Sequence, residues 1–163
     1  MNYGDRMKRV IIIFCLMFLF SSLVFTQSEK KGAIIGTFGI GASFIETVET
    51  KTLISLIFDL NLISRAGFTL CLNDVIGFTF NGDFSQNIMF GAGYHYMMDK
   101  WKIGGGILFS PTAQDMIIAG KINGGYYFTD NIGITGILMY GRTTGLGWDL
   151  SIFSLFAGIS VRL

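Results

Sequence analysis

The feature that most restricts this chain is an alternation of apolar with small or polar residues, repeated through runs that carry almost no charge. In the run at 150–163, Phe153, Leu155, Ala157, Ile159, Val161 and Leu163 share one face, and Ser154, Phe156, Gly158, Ser160 and Arg162 the other. The run at 116–128 sets Ile118, Ile122, Tyr126 and Phe128 against Ala119, Lys121, Asn123, Gly125 and Tyr127. That at 52–63 sets Leu56, Phe58, Leu60 and Leu62 against Ser55, Asp59 and Asn61. A period of two with unlike faces is the pattern of a β-strand, and a helix cannot produce it. The abundance of glycine, 22 residues, points the same way, since each costs a helix interior about 1 kcal/mol against alanine.

Eight such runs follow one another, near 33–45, 52–63, 67–80, 87–97, 102–109, 116–128, 132–141 and 150–163. Their connectors alternate in kind. "ETVETK", "NGDFSQ", "SPTAQD" and "RTTGLGWD" are longer and polar, and "SRAG", "MDKW" and "TDN" are compact. An even number of strands, with long loops at one end and short turns at the other, predicts an all-β, eight-stranded, antiparallel up-and-down barrel. Two barrels share this alternation: a soluble one with apolar side chains inside, and a transmembrane one with them outside. Charge placement favours the membrane. Within the runs only Asp59, Asp74, Lys121 and Arg162 are well inside; the rest, Lys102 among them, lie in connectors, at strand edges or in the N-terminal lead. A water-facing wall would need many more charges.

The N-terminus has a different grammar. Arg6, Lys8 and Arg9 precede the apolar "VIIIFCLMFLFSSLVF", which ends in "VFT" before the polar "QSEKKG". This predicts a signal peptide at 1–26, removed near Gln27, and a barrel domain at 27–163. A retained anchor is the alternative, because Val10 to Ser28 is an uncharged stretch long enough to span a bilayer. Removal leaves Cys71 as the only cysteine, so no intrachain disulfide can form. A net charge of +1 gives no reason to expect a nucleic-acid partner.

"GAGYHYMMDKWKIGGGILF" (91–109) and "GGYYFTDNIGITGILMY" (124–140) repeat one hairpin plan, and "YYFTDNIGI" resembles the hairpin signature of small outer-membrane barrels of the OmpX, OmpW and OmpA-transmembrane type. The hydrophobic, Gly-rich style is also similar to small barrel proteins of treponemes. The ending "FAGISVRL" resembles the C-terminal signal by which such strands are recognised for membrane assembly, with Gly158, Val161 and Leu163 at its matching positions. It departs from that signal at Leu163, where an aromatic is usual, and at Phe156, where a polar residue is. The resemblance implies the outer membrane of a Gram-negative-type bacterium. Its implied partners are outer-membrane lipid and the barrel assembly machinery, reached through the C-terminal strand.

Catalytic chemistry is scarce. His95, the only histidine, is expected to point inward near the short-turn end, away from any glutamate of the mature chain, which favours a lumen-packing role over the His-Ser-carboxylate arrangement of a lipid-modifying barrel enzyme. One His and one Cys make no metal site by themselves, and no cofactor is expected. The charges inside strands predict a polar network in the lumen, comprising Asp59, Asn61, His95, Lys121, Asn123 and Arg162. Asp59 and Lys121 are expected at one level on non-adjacent strands, and Arg162 lower, at the periplasmic mouth. The inward glycines (Gly39, Gly41, Gly91, Gly93, Gly104, Gly106, Gly125, Gly133 and Gly158) suggest free volume, hence room for a narrow cavity. Asp74 falls on the lipid face, which calls for either a bulge or an end to the membrane strand near Asn73, with "DVIGFTFNGDFSQ" in a long surface loop. The expectation is a non-enzymatic, monomeric outer-membrane barrel with a structural or surface-interaction role. A narrow OmpW-like channel is the second reading, and a secreted lipocalin-like barrel the third.

Overall fold

The computed structural model describes residues 32–163 apart from 47–49, 81, 83, 112–115 and 145–149. The expected signal segment at 1–26 therefore lies outside the described residues. The strands are β1 (Ala33–Glu46), β2 (Lys51–Ile63), β3 (Phe68–Phe78), β4 (Phe84–Met98), β5 (Trp101–Pro111), β6 (Met116–Tyr127), β7 (Ile132–Thr144) and β8 (Ser151–Arg162). Each pairs antiparallel with its neighbours in sequence, and β8 returns to β1, closing the barrel. No sheet edge is left open, which a membrane-spanning sheet requires. Each strand has 11 residues or more, against roughly 9–11 needed to span a bilayer. Two boundaries shift by three residues: β4 begins at Phe84, and β7 runs on to Thr144. Phe78 pairs with Phe84, with ring centroids 5.6 Å apart, so part of the expected loop "NGDFSQ" is strand.

The short turns are built from local chemistry. Met98 pairs with Trp101, leaving only Asp99 and Lys100 to reverse the chain, and Asp99 takes a φ of 25°. Such a two-residue reversal needs positive φ, and Asp tolerates it better than most residues. At 64–67, Gly67 takes φ 90° and lies against the Tyr94 ring, where a Cβ would be 2.6 Å from it. In the third turn the Thr129 hydroxyl accepts hydrogen bonds from the Ile132 and Asn131 amides, at 2.9 and 3.3 Å.

The outer wall is apolar. Phe38, Ile40, Phe58, Ile107, Ile122, Ile134, Leu155 and Ile159 all project outward from mid-strand, and Ile122 is 62% exposed. In water this would be an aggregating surface; in lipid it is the solvated one. Trp101 and Tyr126, 4.9 Å apart, and Phe68 and Tyr94, 5.8 Å apart, form aromatic pairs on the outer wall toward the short-turn end. Such residues favour the membrane–water interface.

Asp74 is indeed on the outer face, but neither expected remedy applies. The β3 ladder runs without a bulge to Phe78 against both neighbours, from Thr69 on the β2 side and Phe68 on the β4 side, so 74–78 is strand and not loop. Asp74 lies six positions along β3 from Phe68, paired with Phe58 on β2 and Ile88 on β4, so it stands within the strand wall. What the structure gives it there is a polar partner: its carboxylate accepts from the Gln86 side-chain amide at 2.9 and 3.1 Å.

The inward glycines also mean something other than expected. A Cβ at Gly41 would strike the Leu155 carbonyl, at Gly158 the Phe38 carbonyl, at Gly91 the Ile107 carbonyl and at Gly93 the Gly105 carbonyl. Those positions are occupied by the neighbouring backbone, so there is no free volume at them. They cluster at β8–β1 and β4–β5, seams on opposite sides of an eight-stranded barrel. Glycine at a barrel corner permits a sharp bend. Bending there brings the wall around β2 toward the wall around β6.

Candidate functional site

The inward face of the strands reads in three layers from the loop end to the short-turn end. On β2 the order is Ile57, then Asp59 and Asn61, then Ile63; on β6 it is Ala119, then Lys121 and Asn123, then Tyr127. Toward the loops, Ile57, Leu108, Ile137, Phe156, Met89 and Met139 pack into an apolar layer. Toward the turns, Ala33, Ile35, Ile63 and Tyr127 form a second, with Met97 against it. Ile57, Leu108 and Ile35 are 0% exposed, so each layer shuts out water. A small apolar cup lined by Val75, Ile117 and Ile152 lies on the loop side of the first layer, with Met89 and Met139 also lining it.

The polar layer between these seals is organised around one carboxylate. Lys121 Nζ lies 2.9 Å from Asp59 Oδ1 and donates to Asn61 Oδ1 at 3.0 Å. Asn61 Nδ2 donates to Asp59 Oδ2 at 2.8 Å and Asn73 Nδ2 to Asp59 Oδ1 at 2.9 Å. Both charged side chains are wholly buried. A pair so desolvated persists only with its remaining lone pairs and protons occupied, and the two asparagines supply that. β2 and β6 are not neighbours, so the pair spans the lumen and ties opposite walls together. On the other side, the Ser160 hydroxyl bonds to Thr37 at 2.8 Å and also to Thr135, joining β8 to β1 and β7.

Of the six residues expected in a lumen network, Asp59, Asn61 and Lys121 are hydrogen-bonded together. His95 and Asn123 are buried in the same layer without bonding to that trio. His95 Nδ1 meets the Thr69 hydroxyl at 2.8 Å, and Thr69 in turn donates to the Gly67 carbonyl at 3.1 Å. Its ring lies on Gly104, where any Cβ would collide with it. Arg162 stands lower and only partly buried, paired with Ile35 at the short-turn mouth. Asn73, Thr69, Ser160 and above all Lys102 belong to the layer without having been expected there. Lys102, read from the sequence as a strand-edge charge, is the second residue of β5 and is 1% exposed. Its parity with Gly104 and Gly106 was the available signal.

Nothing in the layer resembles a reaction centre. His95 is enclosed and held by a threonine, with no nucleophile beside it that a substrate could reach. Among the described residues no group of three or more His, Cys, Asp or Glu could hold a metal ion. At the C-terminus, Val161 and Leu163 project outward, Gly158 sits in the β8–β1 seam, and the Leu163 amide donates to the Ile34 carbonyl at 2.9 Å.

No protein-family model matches the sequence. No curated protein matches it either. The fold, by contrast, has counterparts among solved structures. Neisserial surface protein A superposes with a TM-score of 0.64 at 10% identity, over 80% of this chain and 99% of that one. Ail, the attachment invasion locus protein of Yersinia pestis, gives 0.59 at 11%, over 82% and 100%. A de novo designed transmembrane β-barrel gives 0.56 at 12%, over 84% and 100%. The chain thus has the fold of the small eight-stranded outer-membrane barrels. Its apolar outer wall makes it a transmembrane β-barrel.

Proposed function

We propose that this protein is a non-enzymatic barrel of the bacterial outer membrane with a structural or surface-interaction role, and that it neither catalyses a reaction nor conducts solutes. The observation that carries this reading is the lumen: a cross-linked polar layer closed above and below by fully buried apolar side chains. A solute path would have to break the Asp59–Lys121 pair and pass both seals. Residues 1–26 act as an export signal cleaved before Gln27, and Gly158, Val161 and Leu163 present the last strand to the assembly machinery. The barrel functions as a monomer in contact with lipid. A surface role accords with the names of two similar folds, a surface protein and an attachment invasion locus protein.

The test is to express the full chain in a Gram-negative host. The protein should fractionate with the outer membrane, begin near Gln27, and migrate on gels as a compact band that shifts only after heating. Recovery in the soluble periplasm, or with Met1 intact in the inner membrane, would overturn the reading.

A further inference from the structure

The sealed layer is not balanced in charge. It contains one carboxylate, Asp59, and two ammonium groups, Lys121 and Lys102, all essentially without exposure. Lys121 takes the carboxylate. Lys102 Nζ has no hydrogen-bond partner among the described residues, and neither end of the Asn123 side-chain amide has one. The two are close by register: Gly104 pairs with Asn123 on β6, and Lys102 precedes Gly104 by two positions on the same inward face. We propose that the layer holds one small monovalent anion of halide size, bound by the Lys102 ammonium and the Asn123 amide.

Charge and donor count both point there. A buried ammonium without a counter-charge is among the costliest arrangements a fold can contain. A single monovalent anion brings the layer to neutrality, and two charge-assisted or polar N–H donors wait at the same place. The neighbouring protein groups cannot substitute for it. Thr69 and His95 Nδ1 share a hydrogen bond at 2.8 Å whose direction follows the imidazole tautomer, and in either neutral tautomer the ring carries no negative charge. The ring lies beside the site on the other flank of Gly104 and so supplies no counter-charge to it. Asn73 Oδ1 and Asn123 Oδ1 are likewise neutral acceptors. Because both apolar layers close the compartment, the anion enters during folding and exchanges only on unfolding.

The experiment is to refold the purified full barrel in detergent with sodium bromide or with sodium gluconate, an anion too large to enclose, at equal ionic strength. Crystals of the bromide form should show one anomalous bromine peak beside Lys102 Nζ and Asn123 Nδ2. The unfolding temperature should be higher in bromide than in gluconate for the parent chain and for Lys51→Met, whose exposed lysine is a control. The difference should vanish in Lys102→Met. A map of the parent chain with ordinary water density at Lys102 and no anomalous peak would overturn the proposal. So would an unfolding temperature indifferent to the anion, or a bromide effect that survives in Lys102→Met.

Discussion

The outer wall and the lumen are made from alternate residues of the same strands, yet they are held by different kinds of interaction. On the wall, Ile122, Leu155 and Ile134 each meet lipid on their own account, and any apolar side chain of similar size would serve. In the lumen, Asp59 depends on Lys121 four strands away, on Asn73 next door and on Asn61 two residues along. Wall residues act singly and additively, whereas lumen residues act as a set. A change on the wall should matter by depth and polarity, and a change in the lumen by which partners it strands.

The largest effect should follow loss of the one carboxylate. Asp59→Asn leaves Lys121 buried without its counter-charge and should cost about 3–5 kcal/mol, read as a large drop in unfolding temperature in detergent. Next comes the wall: Ile122→Arg should cost about 2–4 kcal/mol at mid-depth and impair assembly into bilayers. Asp130→Arg, in the exposed third turn, should assemble normally. Equal assembly of both arginine variants would erase the distinction between lipid face and turn.

The two regions were also unequally legible in the sequence. Periodicity alone assigns Ile122 to the wall and Lys121 to the lumen, because facing depends only on position along a strand. Which lumen residues meet depends on strand tilt, register and the shape of the cross-section, and none of these is local. Lys102 shows the cost of that gap: two residues from a turn, it reads as an edge charge, but the register of β5 turns it into the interior. The glycines were legible as inward and not as corners, since a missing side chain looks the same whether space or backbone takes its place. Asp74 was read on the correct face, but the Gln86 amide that meets its carboxylate depends on the β3–β4 register, which no local pattern shows.

A smaller effect sharpens the idea of the lumen as a set. Lys121→Met should cost about 1–3 kcal/mol, less than Asp59→Asn, because Lys102 remains as a cation for Asp59 while the asparagine bonds persist. The double variant should lose less than the sum of the two, and strict additivity would mean the charges are not coupled. The seams provide the finest comparison. Gly91→Ala, whose Cβ meets the Ile107 carbonyl, should cost about 1–3 kcal/mol. Gly124→Ala, outward-facing with only a 3.9 Å contact, should stay within about 0.5 kcal/mol by the same thermal measurement.

The most direct test of the central claim, a lumen closed at both ends, is single-molecule conductance of the refolded barrel in a planar bilayer. The parent chain should insert, as judged by heat-dependent gel mobility of the same sample, and show no stepwise current at either polarity. Removing bulk from both seals, through Ile57→Gly with Ile35→Gly, should be needed before steps appear, provided the variant still folds. Reproducible unitary currents from the parent barrel would contradict the account and make the protein a channel.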